Sequence, residues 1–164
     1  VTPPWKLVAG GVTLRAQMDA RFPGRDKTLD GAKGDFAHSQ RKSDHNPDSK
    51  GWVHALDLDA NFGKSGSWRR SRNAKNLTKQ LVQYAASGLP GSDRVKYVVH
   101  RGQLASGTYR SKWWVLRGKG YGHWGHVHIS FTAAAQKNGA LWPLPILGKT
   151  LKTRRAWAKN LRDA

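Results

Sequence analysis

The sequence predicts one domain that mixes helices with short strands. Three observations carry this expectation. The length, 164 residues, suffices for one hydrophobic core and not comfortably for two. Two segments carry apolar residues at helical spacing, and four runs are either rich in β-branched and aromatic residues or alternate with period two.

The elements follow in order. Val12 to Phe22 places Leu14, Met18 and Phe22 on one helical face, and Pro23-Gly24 closes the segment. Such a helix is expected to cover a sheet. Residues 24 to 50 are dominated by Gly, Asp, Lys and Ser with little apolar periodicity. That is the composition of a long loop, and loops of this length are usually functional or disordered. Trp52 to Leu58 sets Trp52, His54, Leu56 and Leu58 against Val53, Ala55, Asp57 and Asp59. A strand of this pattern has one apolar face and one face ending in carboxylates. Asn73 to Ser87 aligns Leu77, Leu81 and Ala85 with Tyr84 beside them, and Gly88-Leu89-Pro90 supplies the stop. "VKYVVH" (95 to 100) and "KWWVLR" (112 to 117) read as arms of a longer hairpin, and "HVHISF" (126 to 131) as a further strand. Beyond Ala135 the chain turns Pro-containing and then basic, with a short helix expected to pack Leu151 and Trp157 downward. The expected division is a catalytic domain over 1–135 and a basic extension over 136–164, partly helical and packed on that domain.

Composition limits the chemistry. Twenty-nine Lys and Arg against ten Asp and Glu give a formal charge of +19. The summed field attracts polyanions, so nucleic acid, anionic wall polymers and acidic lipid headgroups are all admissible partners. With no cysteine, neither a disulfide nor a thiolate site is possible, and any metal must sit on His, Asp or Glu. No apolar run approaches the length of a membrane span, and "VTPPWKLVAGG" lacks the regions of a signal peptide.

His126 and His128, two apart on an expected strand, leave by the same face and can reach one small object. An Asp from the end of the Trp52 strand and a His from the loop before it would complete a His, Asp, His set with an open position for water. Zinc in such a set lowers the pKa of its water toward ~7 and polarises a carbonyl, and an unligated histidine nearby can move protons. Each residue also has an ordinary reading. His38, His54 and His100 can be solvated or hydrogen-bonded, and His54 falls on the opposite face from Asp57. Asp57 and Asp59 can pair with the abundant Lys and Arg. The eight tryptophans read as core and hairpin packing.

"SDHNPDSKGWVHALDLD" (43 to 59) followed by "GHWGHVHISF" (122 to 131), with "FPGRDKTLDGAKGDFAHSQRKSDHNP" upstream, resembles a family of zinc peptidases. It is the zinc D-alanyl-D-alanine carboxypeptidase and L-alanyl-D-glutamate endopeptidase family, in its phage lysin branch, and the likeness spans roughly residues 10 to 132. The resemblance implies an α+β fold: a small antiparallel sheet with helices packed on one side and a zinc site at the sheet face. Position by position, it makes His45, Asp57 and His128 the zinc ligands and His126 the base. Ser43, His123 and Trp124 then border the substrate. The family's Arg lacks its usual context here, leaving Arg25 as first candidate for the catalytic cation and Arg41 as second, in contact with substrate. His45 and Asp57 stand farther apart than in better-known members, so the loop through Pro47 and Gly51 must bulge and return. The Glu that many members place three residues before the last ligand is Gly125 here.

The implied function is zinc-dependent hydrolysis of an amide bond in the stem peptide or cross-link of bacterial peptidoglycan. The implied agent is a bacteriolytic, monomeric endolysin acting at the cell wall, released by a phage holin, by virion delivery or by another export route. Its partners are peptidoglycan and anionic wall polymers, with no specific nucleic acid and no membrane span. Two alternatives come from other classes. "DHNP" (44 to 47) echoes the opening of His-Asn-His metal-dependent nucleases, to which the positive charge would suit nucleic acid, but the helix expected over 73 to 87 carries no histidine. A non-catalytic basic wall-binding module would leave the clustered His and Asp unexplained.

Overall fold

The structure, a computed structural model, describes residues 4–63, 72–107 and 121–148. The order of elements is β1 (Lys6–Leu7), α1 (Ala9–Arg21), α2 (Phe36–Ser39), β2 (Trp52–Val53), β3 (Ala55–Asp59), α3 (Arg72–Ala86), β4 (Val95–His100), β5 (Gln103–Ser106) and β6 (His126–Phe131), with 3-10 turns at Ser92–Arg94, Ala133–Ala135 and Pro145–Leu147. The four longer-range strands form one antiparallel sheet in the order β3-β6-β4-β5, while β1 pairs in parallel with β2.

Residues directly opposite in an antiparallel pair share a face. Leu56, Leu58, Val98, Ala105, Val127 and Ile129 join Leu14 and Met18 of α1 and Leu77, Leu81 and Tyr84 of α3 in one buried cluster. The fold is therefore α+β, with both long helices on the apolar side of the sheet. The opposite face carries Asp57, His126 and His128, and the long loop between α1 and β2 lies over it.

Three elements differ in detail from the sequence pattern. The first helix begins at Ala9, not at Val12, and includes Gly10 and Gly11. Those glycines allow close packing: a Cβ on Gly11 would stand 3.0 Å from the Leu7 side chain and 3.1 Å from the Phe131 ring. The Trp52 run is broken at His54, whose N–H goes to the Asp44 carbonyl while its own carbonyl accepts from Phe131 N–H. Its two halves accordingly serve different sheets. The hairpin partner of β4 is β5, joined across Arg101 and Gly102 with φ of 50° and 76°. That geometry is the tight two-residue turn matched to strand twist. Both flanks of β4 are filled by β5 and β6, and residues 112–117, expected as its partner, lie outside the described residues.

The segment 136–148 belongs to the same core. Trp142 and Leu144 are buried, and the buried Arg94 guanidinium lies 3.8 Å from the Trp142 ring while donating to the Ala140 carbonyl at 2.7 Å and the Gly91 carbonyl at 2.8 Å. The expected packing of Leu151 and Trp157 falls outside the described residues. Among the described residues no helix is long and apolar enough to cross a membrane.

Candidate metal centre

Strand pairing builds half of the site. The β3–β6 register sets Asp57 opposite His128 and Asp59 opposite His126, which brings the first pair within side-chain reach on the polar face. The long loop delivers the other half. Gly31 makes a two-way bridge to Asp57, donating its N–H to the Asp57 carbonyl at 3.1 Å and accepting from Asp57 N–H at 2.7 Å. This places the next carbonyl, that of Ala32, 2.5 Å from His45 Nδ1. Gly34 N–H holds the His45 carbonyl at 2.9 Å, and Ser43 Oγ accepts from His45 N–H at 3.2 Å. Neighbouring Asp44 is clamped by Lys96 Nζ, at 2.9 and 2.8 Å to its two oxygens.

The result is a compact donor set. One atom each from His45, Asp57 and His128 lies within 4.8 Å of the others. His45 Nε2 is 3.1 Å from His128 Nδ1 and 3.4 Å from Asp57 Oδ2, and His128 Nδ1 is 2.9 Å from Asp57 Oδ1. Because His45 Nδ1–H donates to the Ala32 carbonyl, the neutral ring turns a lone pair inward at Nε2. His128 Nε2 lies 3.0 Å from Ser130 Oγ, and donation there leaves its Nδ1 bare as well. Outer partners of this kind fix the tautomer and orientation of metal-binding imidazoles. Two lone pairs and a carboxylate then face one point, and a cation is the partner that satisfies all three. The group can hold a metal ion, and two nitrogens with one oxygen suit a divalent transition metal that keeps further positions open.

Electrostatics agree with the geometry. Burial alone would raise the Asp57 carboxyl, but hydrogen bonds and charge from His128 and His45 hold it well below the usual carboxylate range. Burial drives His128 downward against the pull of Asp57. For His45 burial is outweighed by Asp57, and its value rises.

His126 flanks this set without joining it, its Nε2 being 3.7 Å from Asp57 Oδ1. Burial lowers its pKa, Asp57 opposes, and His123, His128 and His45 reinforce the lowering. The His123 ring stands 4.8 Å from that of His126 and 5.2 Å from that of His128. It is placed there by a left-handed backbone, φ 61°, and by the β4–β5 turn, whose Arg101 N–H binds the His123 carbonyl and Gly102 N–H the Gly122 carbonyl. Non-glycine residues held at such φ cost about 1–3 kcal/mol and gather at functional sites. Trp124, on the same loop, is half exposed.

Other expected residues take different places. Arg25 was expected as a catalytic cation, yet its side chain is 0% exposed and its donors are taken. Nε and Nη2 bind Asp19 Oδ1 at 2.9 and 2.7 Å, Nη1 and Nη2 bind Asp30 at 2.8 and 2.5 Å, and Nη1 also meets the Asp26 carbonyl. Its role is to position: Asp30 Oδ1 also accepts from Asp59 N–H at 2.8 Å, which ties the loop to β3 just before the Gly31 bridge. Ser43 caps the His45 backbone. Arg41 is exposed and forms no ion pair among the described residues. Two contacts escaped sequence reasoning. The His38 ring packs edge-on at 5.3 Å against His45 and is oriented by Asp35 Oδ1 at 2.8 Å, and Tyr97 stacks on His128 at 5.4 Å. The Asp-x-x-His spacing could have signalled the first, whereas the second requires knowing that β4 pairs with β6.

Compared with known proteins, the chain matches no family model, no curated protein sequence and no solved structure. What the fold and the site define is an α+β domain with a His-Asp-His group that can hold a metal ion.

Two outcomes follow here. His54 faces Asp48 at 3.3 Å and Gln136 at 3.2 Å, away from the cluster, so His54→Ala should retain bound metal at the parent's stoichiometry by elemental analysis. The second concerns pH. Burial lowers His100, His126 and His128, so the metal-free fold keeps these rings neutral where the unfolded chain would protonate them. Unfolding therefore takes up protons below pH ~6.5, and stability falls as pH drops through that range. His45, raised by Asp57, works in the opposite sense, with stability present below pH ~6.5 and lost as pH rises through its folded value. Three groups outnumber one, so thermal melts in chelator should show a lower midpoint at pH 5 than at pH 7; a higher midpoint at pH 5 would contradict this.

Proposed function

We propose that this protein is a zinc-dependent peptidoglycan peptidase that hydrolyses an amide bond in the stem peptide or cross-link of the bacterial wall, acting as a phage-type lysin and as a monomer. The observation that carries the reading is the convergence of His45 Nε2, His128 Nδ1 and Asp57 within 4.8 Å, with His126 alongside but outside the set. When bound there, zinc supplies Lewis-acid polarisation of a carbonyl and acidifies water at neutral pH.

The chain's own residues supply the rest. His126, neutral and half-buried, accepts the proton of the attacking water and returns it to the leaving amine. Asp57 stays ionised beside it and stabilises the imidazolium that forms. His123 and Trp124 border the open side of the cluster and contact substrate. With Arg25 engaged internally, Arg41 is the remaining candidate for holding a substrate carboxylate. The strong positive charge suits a polyanionic wall.

The arrangement favours this reading over a His-Asn-His nuclease, because α3 carries no histidine and the cluster lies on paired strands. Incubation with purified peptidoglycan and with DNA, each with and without chelator, separates the two. New amino groups released from peptidoglycan, abolished by chelator, are the expected result; chelator-sensitive DNA cleavage with intact peptidoglycan would favour the nuclease.

A further inference from the structure

A groove of about 1040 Å³ runs between the segment leading into α2 and the turn at 47–51, with Lys33, Gly34, Phe36, Pro47, Lys50 and Gly51 among its walls. It adjoins the metal centre. A Cβ on Gly34 would stand only 3.2 Å from the Cβ of His45 and 2.5 Å from that of His38, so only glycine lets the groove reach the base of a ligand side chain. A chain seated in the groove is thus contiguous with any group held at His45.

The groove's charge is one-sided. Its two carboxylates are occupied internally: Asp35 Oδ1 accepts from His38 N–H at 3.1 Å and faces His38 Nδ1 at 2.8 Å. Asp48 Oδ1 accepts from Lys50 N–H at 2.8 Å and Trp52 N–H at 2.9 Å, while its Oδ2 faces His54. Lys33 and Lys50 are exposed and form no ion pair among the described residues. Beside them stands Phe36, 80% exposed.

Resting on the peptidase reading above, we propose that this groove is the subsite for the part of the substrate that flanks the scissile amide. It selects a peptide bearing carboxylates, which Lys33 and Lys50 hold, with an apolar side against Phe36. Being exposed, the two lysines can be changed without disturbing the core.

The test uses the full chain and two probes, a soluble stem tetrapeptide with free carboxylates and its carboxamide analogue. Binding is measured by calorimetry with chelator present to stop turnover, and KM and kcat are measured with metal. Two exposed charge contacts should together contribute about tenfold. Lys33→Ala with Lys50→Ala should therefore raise Kd and KM for the acid by about that factor, leaving kcat and carboxamide binding unchanged. A control with Lys75→Ala and Lys79→Ala, exposed on α3, should match the parent. An equal loss in the control, no loss in the groove variant, or no preference of the parent for the acid would each overturn the proposal. Failure of the peptidase reading looks different: the parent would prefer the acid in binding yet hydrolyse neither peptide.

Discussion

His126→Ala is expected to keep its metal and lose roughly 10²–10⁴ in turnover, the contribution typical of a positioned general base. The two closing histidines leave β6 on one face but have different surroundings. His128 Nδ1 lies within hydrogen-bonding distance of both other ligand residues, with its far nitrogen on Ser130. His126 Nε2 reaches only the edge of Asp57, at 3.7 Å, and its ring is half-buried under His123. Burial and neighbouring histidines keep it neutral, the form that accepts a proton. Metal content and single-turnover rate, measured on the same preparation, separate the roles. Near-normal turnover would move the proton shuttle elsewhere, and loss of metal would place His126 among the ligands.

Arg25→Ala should cost about 3–5 kcal/mol of stability, the loss seen when one partner of a buried ion pair is removed. Domains of this kind have about 5–15 kcal/mol in all. The largest part comes from Asp30, which is mostly buried and would keep its charge without a partner; Asp19 is more exposed and contributes less. The damage should not stop at stability. Asp30 holds Asp59 N–H, the adjacent Gly31 bridges Asp57, and Ala32 orients His45, so the same substitution loosens two ligands at once. Arg25→Lys should recover only part of the loss, since an ammonium cannot span both carboxylates as the planar guanidinium does. Denaturant melts and metal titration of the folded fraction test both effects. A stability change below ~0.5 kcal/mol, the range of ordinary surface substitutions, would show that the network is not the anchor described.

Much of the site was legible because strands alternate with period two. That rule alone sets Asp57 on one face of its run and pairs His126 with His128 on one face of theirs, and antiparallel pairing then brings the faces together. The path of the long loop was not legible, since His45 is placed by backbone contacts to Gly31, Ala32 and Gly34 that leave no periodic trace. Arg25 was misjudged for a related reason: its partners lie six residues back and five ahead, and whether an arginine faces substrate or carboxylates is decided by tertiary structure. The start of α1 was hidden by Gly10 and Gly11, poor helix formers retained where the helix meets Leu7 and Phe131. Arg101-Gly102 is a less recognisable turn signal than Asn-Gly, so the tight hairpin was read as a longer one.

The most direct measurement is zinc stoichiometry by elemental analysis of the parent, His45→Ala and His128→Ala proteins, each confirmed folded by circular dichroism. The expected result is one zinc per chain in the parent and substoichiometric zinc in both variants, with activity on peptidoglycan lost in parallel and restored to the metal-stripped parent alone by added zinc. Full zinc occupancy in folded His128→Ala protein, or undiminished activity of the parent after complete metal removal, would contradict the assignment of His45, Asp57 and His128 as a catalytic metal centre.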